Sequence, residues 1–189
     1  MERILVACPT AQEKAYCLQA WVDAYKALTY PQRMALMVDN TAGTLDLTHA
    51  IRKLGIPAIH VEPVGHNLYF WMEQSWDVII AYALEHGCPW VASLEADVIC
   101  PPETLEVLRS HAEGCDVVGH GYPTRGAWGG HRILALGCTL ISTEWLLKRQ
   151  HLWWRGPEQD IWAGARRYEF DGVLDTQHLD PPKDSAGVS

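Results

Sequence analysis

The chain has 189 residues, of which 48% are hydrophobic, and it carries a formal net charge of −8 at pH 7. This length predicts a single domain that buries roughly 70% of the surface exposed by the unfolded chain. The negative charge argues against a broad nucleic-acid-binding surface, because contacts along a phosphate backbone require clustered Lys and Arg. An anionic small ligand stays possible, because a bound cation can supply positive charge locally.

The sequence shows no targeting segment and no disulfide framework. The first apolar run, residues 4–8, is too short for a signal peptide or a membrane span, and Pro9 follows it directly. The six cysteines lie far apart without a C-x-x-C pair, at positions 8, 17, 88, 100, 115 and 138. We therefore expect reduced core cysteines in a cytoplasmic protein and no Cys-rich zinc site.

The first half of the chain alternates strands with helices. Thr10 followed by Glu13 resembles a capping box that begins a helix, and Gly55 and Gly87 are placed to end helices. The predicted order is strand 3–7, a helix from residue 10, strand 34–38, helix 44–54, strand 56–61, a long helix up to Gly87, and strand 90–94.

The second half begins with a helix and then changes character. Pro102 suits the first position of that helix, and Gly114 follows its end. The predicted order is helix 102–111, strand 116–119, a glycine-rich loop over 120–132, strand 135–142, and helices 144–150 and 157–168. With no linker or repeat in evidence, we expect one domain over residues 1–180 and a flexible tail over 181–189.

Strand–helix alternation predicts an α/β fold, a single Rossmann-like domain with a mostly parallel central sheet flanked by helices. Ligands of such sheets bind beyond the carboxyl ends of the strands. Polar residues follow three of the predicted strands, namely Thr10, the pair Asp39 and Asn40, and the pair Glu95 and Asp97. We expect these side chains to share one edge of the sheet.

The segment Glu95-Ala96-Asp97 directly follows the apolar strand 90–94. Two carboxylates one residue apart can hold a hard divalent cation, which prefers oxygen ligands and leaves positions open for phosphate and water. The pattern is therefore compatible with a divalent cation that faces a diphosphate, although the same spacing also occurs on solvated strand ends.

The segments in this order resemble the nucleotide-sugar glycosyltransferases of the GT-A fold, especially the family-2-like group. The resemblance spans residues 3–178. It is carried by the small polar turn 6–10, the acidic strand end 37–40, the Gly/Asn turn 65–67, the acidic motif 95–97, strand 116–119, the glycine-led strand 137–142, the acidic helix start 157–162 and the final segment 174–178.

The resemblance implies a metal-dependent enzyme that moves a hexosyl or N-acetylhexosaminyl group from a nucleotide donor to a hydroxyl acceptor. The donor that we expect is a UDP-sugar. Glu95, Asp97 and His178 would hold Mn²⁺ or Mg²⁺, and Asp160 or Glu158 would be the catalytic base. The residues that would contact the nucleotide-sugar are Pro9, Thr10, Asp39, Asn40, Asn67 and Trp128.

The sequence also departs from that family. Glu95 replaces the usual first Asp of the metal motif, and Gln159 separates Glu158 from Asp160, so which of these two faces the acceptor stays open. The acceptor would be a saccharide, a lipid-linked sugar, a protein or a modified DNA base, and the sequence does not distinguish inversion from retention.

Each site residue also has a structural interpretation. Asp39 can be a turn carboxylate that bonds its own backbone, and Asp160 can be a favourable charge at a helix start. At the level of function, the alternatives are a non-catalytic nucleotide- or glycan-binding module and a sugar-phosphate nucleotidylyltransferase. The latter is disfavoured because residues 9–14 lack the glycine-rich loop that holds a triphosphate.

Overall fold

The structure of the chain is a computed structural model. The structure describes residues 1–43, 47–64, 68–123, 132–133, 136–149, 161, 163–170 and 174–181. Its strands are β1 (Ile4–Thr10), β2 (Arg33–Asp39), β3 (Ala58–His60), β4 (Trp90–Leu94), β5 (Val98–Ile99), β6 (Val117–His120), β7 (Tyr122–Pro123), β8 (Arg132–Ile133), β9 (Cys138–Ser142), β10 (Arg167–Phe170) and β11 (Gln177–His178). Its helices are α1 (Leu18–Ala27), α2 (Thr48–Lys53), α3 (Leu68–Glu85), α4 (Thr104–Ser110) and α5 (Thr143–Arg149), with a short 3-10 helix over Gln12–Cys17 before α1.

Seven of the strands form one central sheet in the order β10-β6-β9-β4-β1-β2-β3. The pairs β4–β1, β1–β2, β2–β3 and β10–β6 are parallel, whereas β9 runs antiparallel to both β4 and β6. The predicted α/β class with a mostly parallel sheet is therefore confirmed. Two small two-stranded sheets, β5–β11 and β7–β8, complete the described strands.

Helices cover both faces of the sheet because the central strands are apolar on both sides. On β1, Ile4 and Val6 belong to a core cluster that includes Trp21 of α1. The alternate residue Leu5 belongs to a second cluster that includes Trp76 of α3. These side chains are almost fully buried. The period of two along the strand thus assigns successive side chains to opposite layers.

Glycines end the helices where the sequence predicts. Gly55, Gly87 and Gly114 have φ values of 86°, 62° and 71°, in the left-handed region that glycine adopts without a steric penalty. The Gly55 N–H donates to the Arg52 carbonyl, which satisfies a free acceptor at the end of α2. Among the described residues, no helix combines the length and apolar composition needed to cross a bilayer.

Two predicted helix boundaries are wrong. Thr10 does not cap a helix, because β1 continues through Thr10, which pairs with Asp39 of β2. Ala11 precedes the 3-10 helix and makes no side-chain cap hydrogen bond. Tyr168 lies in strand β10 rather than in a helix, because residues 167–170 pair in parallel with β6. Sheet pairing thus overrides the local helical pattern at both places.

The six cysteines are free, and Cys115 is partly buried while the other five are buried, in agreement with the prediction of reduced core residues. The cytoplasmic location stays a prediction.

Candidate functional site

The site lies beyond the carboxyl ends of three neighbouring strands. Because β4, β1 and β2 are adjacent and parallel, their ends meet at one edge of the sheet. Thr10 and Asp39 are direct neighbours there, and Glu95 and Asp97 follow the end of β4. The expected grouping of these residues at one edge is therefore present.

Asp97 is the buried centre of this edge, with its residue surface 2% exposed. Its Oδ2 atom forms a short ion pair with the Lys14 ammonium and lies 3.3 Å from Nε2 of His178. Lys14 and His178 are 83 and 81 residues away from Asp97 in the sequence. The fold therefore gathers a carboxylate, an ammonium and an imidazole from three distant segments.

Strand pairing places His178 beside Asp97. β11 runs antiparallel to β5, with His178 opposite Val98, and the Leu179 N–H donates to the Asp97 carbonyl over 2.8 Å. The Val98 N–H donates to the Glu95 carbonyl over 3.0 Å, which closes the turn that carries Asp97. Backbone bonds on both sides of Asp97 thus fix its position relative to His178.

The ion pair controls the charge of this cluster. Burial by itself raises the pKa of Asp97, but the hydrogen bond and charge of Lys14, together with His178, outweigh it and lower that pKa below its usual value. Burial likewise lowers the pKa of Lys14, yet its hydrogen bond and attraction to Asp97 raise that pKa overall. At neutral pH the pair is therefore a carboxylate and an ammonium.

Asp97 and His178 fit as two ligands of a divalent cation. Two adjacent ligands of an octahedral metal at about 2.1 Å lie about 3.0 Å apart, close to the 3.3 Å between Oδ2 and Nε2. Among the described residues, no three His, Cys, Asp or Glu side chains form a group that could hold a metal, and the role of Glu95 as a third ligand stays a prediction. The remaining positions would fall to ligand oxygens and water.

Asp39 is fully buried, and its carboxylate is bonded within the protein. Oδ1 accepts from the N–H and hydroxyl groups of Thr41, and Oδ2 accepts from the Leu47 N–H over 2.8 Å. Nδ1 of His60 lies 3.2 Å from Oδ2. These bonds are those of a carboxylate that organises the turn between β2 and α2, and the contact with a nucleobase stays a prediction.

Thr10 and Asn40 stand next to each other where β1 and β2 end. The Asn40 N–H donates to the Thr10 carbonyl over 2.9 Å, and the Asn40 side-chain amide donates to Ser75 Oγ over 3.2 Å. The Thr10 hydroxyl is buried and has no hydrogen-bond partner among the described residues. Buried hydroxyl groups usually have a partner, which an ordered water or a ligand could supply here. Pro9 is partly buried in the same strand end.

Four predicted site residues, Asn67, Trp128, Glu158 and Asp160, lie outside the described residues. Their roles stay predictions. Lys14 and His60 are not among the predicted site residues, but the structure places them against Asp97 and Asp39 respectively. The one local signal for Lys14 is its position, because it is a basic residue between the end of β1 at Thr10 and the start of α1 at Leu18.

Comparison with known proteins identifies the fold. No protein-family model and no curated protein matches the sequence. Among solved structures, S. aureus TarS matches with a TM-score of 0.61 at 14% identity over 89% of this chain. Glucosyl-3-phosphoglycerate synthase from Mycobacterium tuberculosis, in complex with Mn²⁺, UDP-glucose and phosphoglyceric acid, matches with a TM-score of 0.58 at 17% identity over 98% of this chain.

The chain has the GT-A fold. Both relatives in fold are GT-A glycosyltransferases, and one TarS structure contains UDP-GlcNAc. The match covers 35% of TarS and 75% of the mycobacterial synthase, so this GT-A domain spans only about a third of the former. At these identities the similarity establishes the fold, and the activity has to be argued from the site.

Proposed function

We propose that this GT-A domain is a glycosyltransferase that moves a hexosyl or N-acetylhexosaminyl group from a UDP-sugar to a hydroxyl acceptor. The single observation that carries the proposal is the convergence of Asp97 and His178 beyond the carboxyl ends of the parallel strands. These residue types, at this separation and this edge of the sheet, suit a cation that faces a diphosphate.

The surrounding residues support binding of the donor beside that cluster. The unpartnered Thr10 hydroxyl offers a hydrogen bond at the adjacent strand end, where Pro9 and Asn40 also lie. Asp39 shapes the neighbouring turn, on the side where the resemblance places the nucleobase. The complexes of TarS with UDP-GlcNAc and of the mycobacterial synthase with UDP-glucose and Mn²⁺ favour a uridine nucleotide and a divalent cation.

In the proposed reaction, Asp97 and His178 would hold Mn²⁺ or Mg²⁺ beside the donor diphosphate. A bound divalent cation would neutralise the negative charge of the leaving diphosphate as the glycosidic bond breaks. Asp160 would accept the proton of the acceptor hydroxyl, with Glu158 as the alternative base. The acceptor is a hydroxyl group of a saccharide, a lipid-linked sugar, a protein or a modified DNA base.

A binding module without turnover is the second candidate, and the bonding of Asp39 and Asp97 favours it. Both carboxylates are fully or nearly buried and already have partners within the protein. A module of this kind would bind UDP or a glycan without consuming a donor. Release of UDP from a UDP-sugar in the presence of Mn²⁺ separates the enzyme from the module.

Thermal unfolding with UDP, with and without Mn²⁺, tests the cation site. If Asp97 holds a cation against the diphosphate, UDP at about 100 times its Kd with Mn²⁺ adds about 2.7 kcal/mol to the free energy of unfolding. For a domain of this size, that corresponds to an increase in Tm of about 5–10 °C. UDP without metal should raise the Tm much less.

Asp97→Ala should abolish the metal-dependent part of this increase, and Asp23→Ala is the matched control. Asp23 is an exposed carboxylate of α1 that accepts from Gln19, so its removal should leave the increase intact. The two variants are compared by the increase in Tm that UDP with Mn²⁺ produces, and not by the absolute Tm, because Asp97→Ala also removes the ion pair with Lys14. A full metal-dependent increment in Asp97→Ala would reject the assignment of the cation site.

A further inference from the structure

Lys14 and His178 share one oxygen atom of Asp97. The Lys14 ammonium bonds Oδ2, the same atom that lies 3.3 Å from Nε2 of His178. A cation held by Asp97 and His178 would use the lone pairs of this oxygen. The lysine therefore already occupies part of the coordination sphere in which the cation of the proposed function would bind.

The backbone of Lys14 is fixed, but its side chain has room to move. Its N–H donates to the carbonyl of Ala11, which precedes the 3-10 helix, over 2.8 Å, and the thiol of Cys17 at the helix end donates to its carbonyl over 2.9 Å. The Lys14 side chain is 40% exposed, whereas that of Asp97 is only 3% exposed. The ammonium can thus leave Asp97 for solvent or for another anion while the carboxylate stays in place.

An ammonium and a divalent cation compete at this oxygen. Both draw on the lone pairs of Oδ2, and because the ammonium only donates and carries the same sign of charge, the two repel each other at short range. A donor diphosphate changes this balance, because it offers the displaced lysine a new anionic partner. Binding of the nucleotide and binding of the cation are then coupled through the position of one side chain.

We infer that Lys14 occupies the cation position on Asp97 in the free protein, so that Mn²⁺ or Mg²⁺ binds weakly until a nucleotide diphosphate draws the lysine away. This inference rests on the cation site of the proposed function and adds the regulation of that site by a residue of the chain. Lys14 is a positioning residue here, since it acts on cation occupancy through Asp97.

The test is the affinity of the protein for Mn²⁺ alone, measured by electron paramagnetic resonance of free Mn²⁺ without UDP. Lys14→Met keeps most of the side-chain volume and removes the charge. We expect it to bind Mn²⁺ about 10- to 100-fold more tightly than the native protein, the ratio that one hydrogen bond between charged groups represents. Lys14→Gln provides a second neutral variant, and circular dichroism checks that both are folded.

Two further variants separate local competition from general charge. Lys14→Arg retains a cation and should keep the weak Mn²⁺ binding of the native protein. Lys148→Met removes the same formal charge from an exposed pair with Glu144 on α5, and it should leave the affinity unchanged. UDP should raise the Mn²⁺ affinity of the native protein more than that of Lys14→Met.

Equal Mn²⁺ affinity in the native protein and in both neutral Lys14 variants would overturn the inference. A gain in Mn²⁺ affinity in Lys148→Met as large as that in Lys14→Met would also overturn it. Weaker binding in Lys14→Met would also overturn it, because the lysine would then support the site. Absence of Mn²⁺ binding in every variant, with or without UDP, would overturn both the inference and the cation site. Because no sugar transfer is measured, a protein without turnover can still show the expected gain.

Discussion

Asp39→Asn separates the two interpretations of the buried carboxylate at the end of β2. The change keeps the shape of the side chain but replaces one acceptor oxygen with an NH₂ group. In the native structure, both oxygens accept from backbone N–H groups, Oδ1 from Thr41 and Oδ2 from Leu47. In the variant, the amide oxygen can serve only one of these donors, so the other buried N–H faces an NH₂ group.

The expected cost follows from that unpaired donor. A buried N–H without an acceptor costs about 1–3 kcal/mol, and we take about 2 kcal/mol for Asp39→Asn. For a domain of this length, each kcal/mol corresponds to about 2–4 °C, so the Tm should fall by about 4–8 °C. Asp39→Ala should cost more, because it removes the acceptors of both N–H groups together.

The assay is thermal unfolding at pH 7 and fixed ionic strength, with Glu62→Gln as the matched control. The Glu62 carboxylate lies 3.3 Å from the other nitrogen of His60, but its side chain is 63% exposed. This second acid-to-amide change in the same neighbourhood should therefore alter stability by less than about 0.5 kcal/mol. An unchanged Tm in Asp39→Asn, or an equal loss in Glu62→Gln, would refute the reasoning.

Nucleotide binding by the same variant tests the other interpretation. If Asp39 accepts the uracil N–H, the native protein should bind UDP more tightly than ADP or CDP, and Asp39→Asn should narrow that difference. If Asp39 only organises the turn, the variant should lose stability and retain the native preference. Equal binding of the three nucleotides by the native protein would remove the argument for a uridine donor at this position.

Two further predictions concern catalysis and pH. Asp160→Asn should lower the rate of sugar transfer by about 10²–10⁴-fold while UDP binding stays native, and Glu158→Gln should lower that rate less. If a transfer assay shows the larger loss for Glu158→Gln, Glu158 is the base. The Arg166 hydrogen bonds lower the pKa of Asp116 below its usual value of 3.8. The stability that this pair contributes is therefore present above about pH 4, and it is lost as the pH falls through the lowered pKa. Asp116→Asn should therefore reduce the Tm at pH 7 by a few degrees. Thermal unfolding should show that the difference in Tm between the native protein and the variant shrinks at pH 3 and below, and a difference that stays constant from pH 7 to that pH would contradict the prediction.

The sequence alone predicts much of this fold, because its signals are local. Apolar runs mark the buried strands, as at residues 90–94, where β4 spans Trp90–Leu94 as expected. Glycines after helical patterns mark helix ends, as at Gly55 and Gly114, since left-handed backbone is least costly for glycine. The alternation of these elements suffices to predict the class of the fold and the sheet edge at which the candidate site lies.

The contacts within the site depend on the tertiary structure, because they join segments far apart in the chain. The resemblance suggested His178 as a metal ligand, but its approach to Asp97 requires the pairing of β11 with β5, which two-residue strands do not reveal in the sequence. Lys14 reaches Asp97 because β1 lies beside β4, and β1 extends to Thr10 because the register with β2 continues to Asp39. Local periodicity thus determines which elements form, whereas the register between distant strands decides which charges meet.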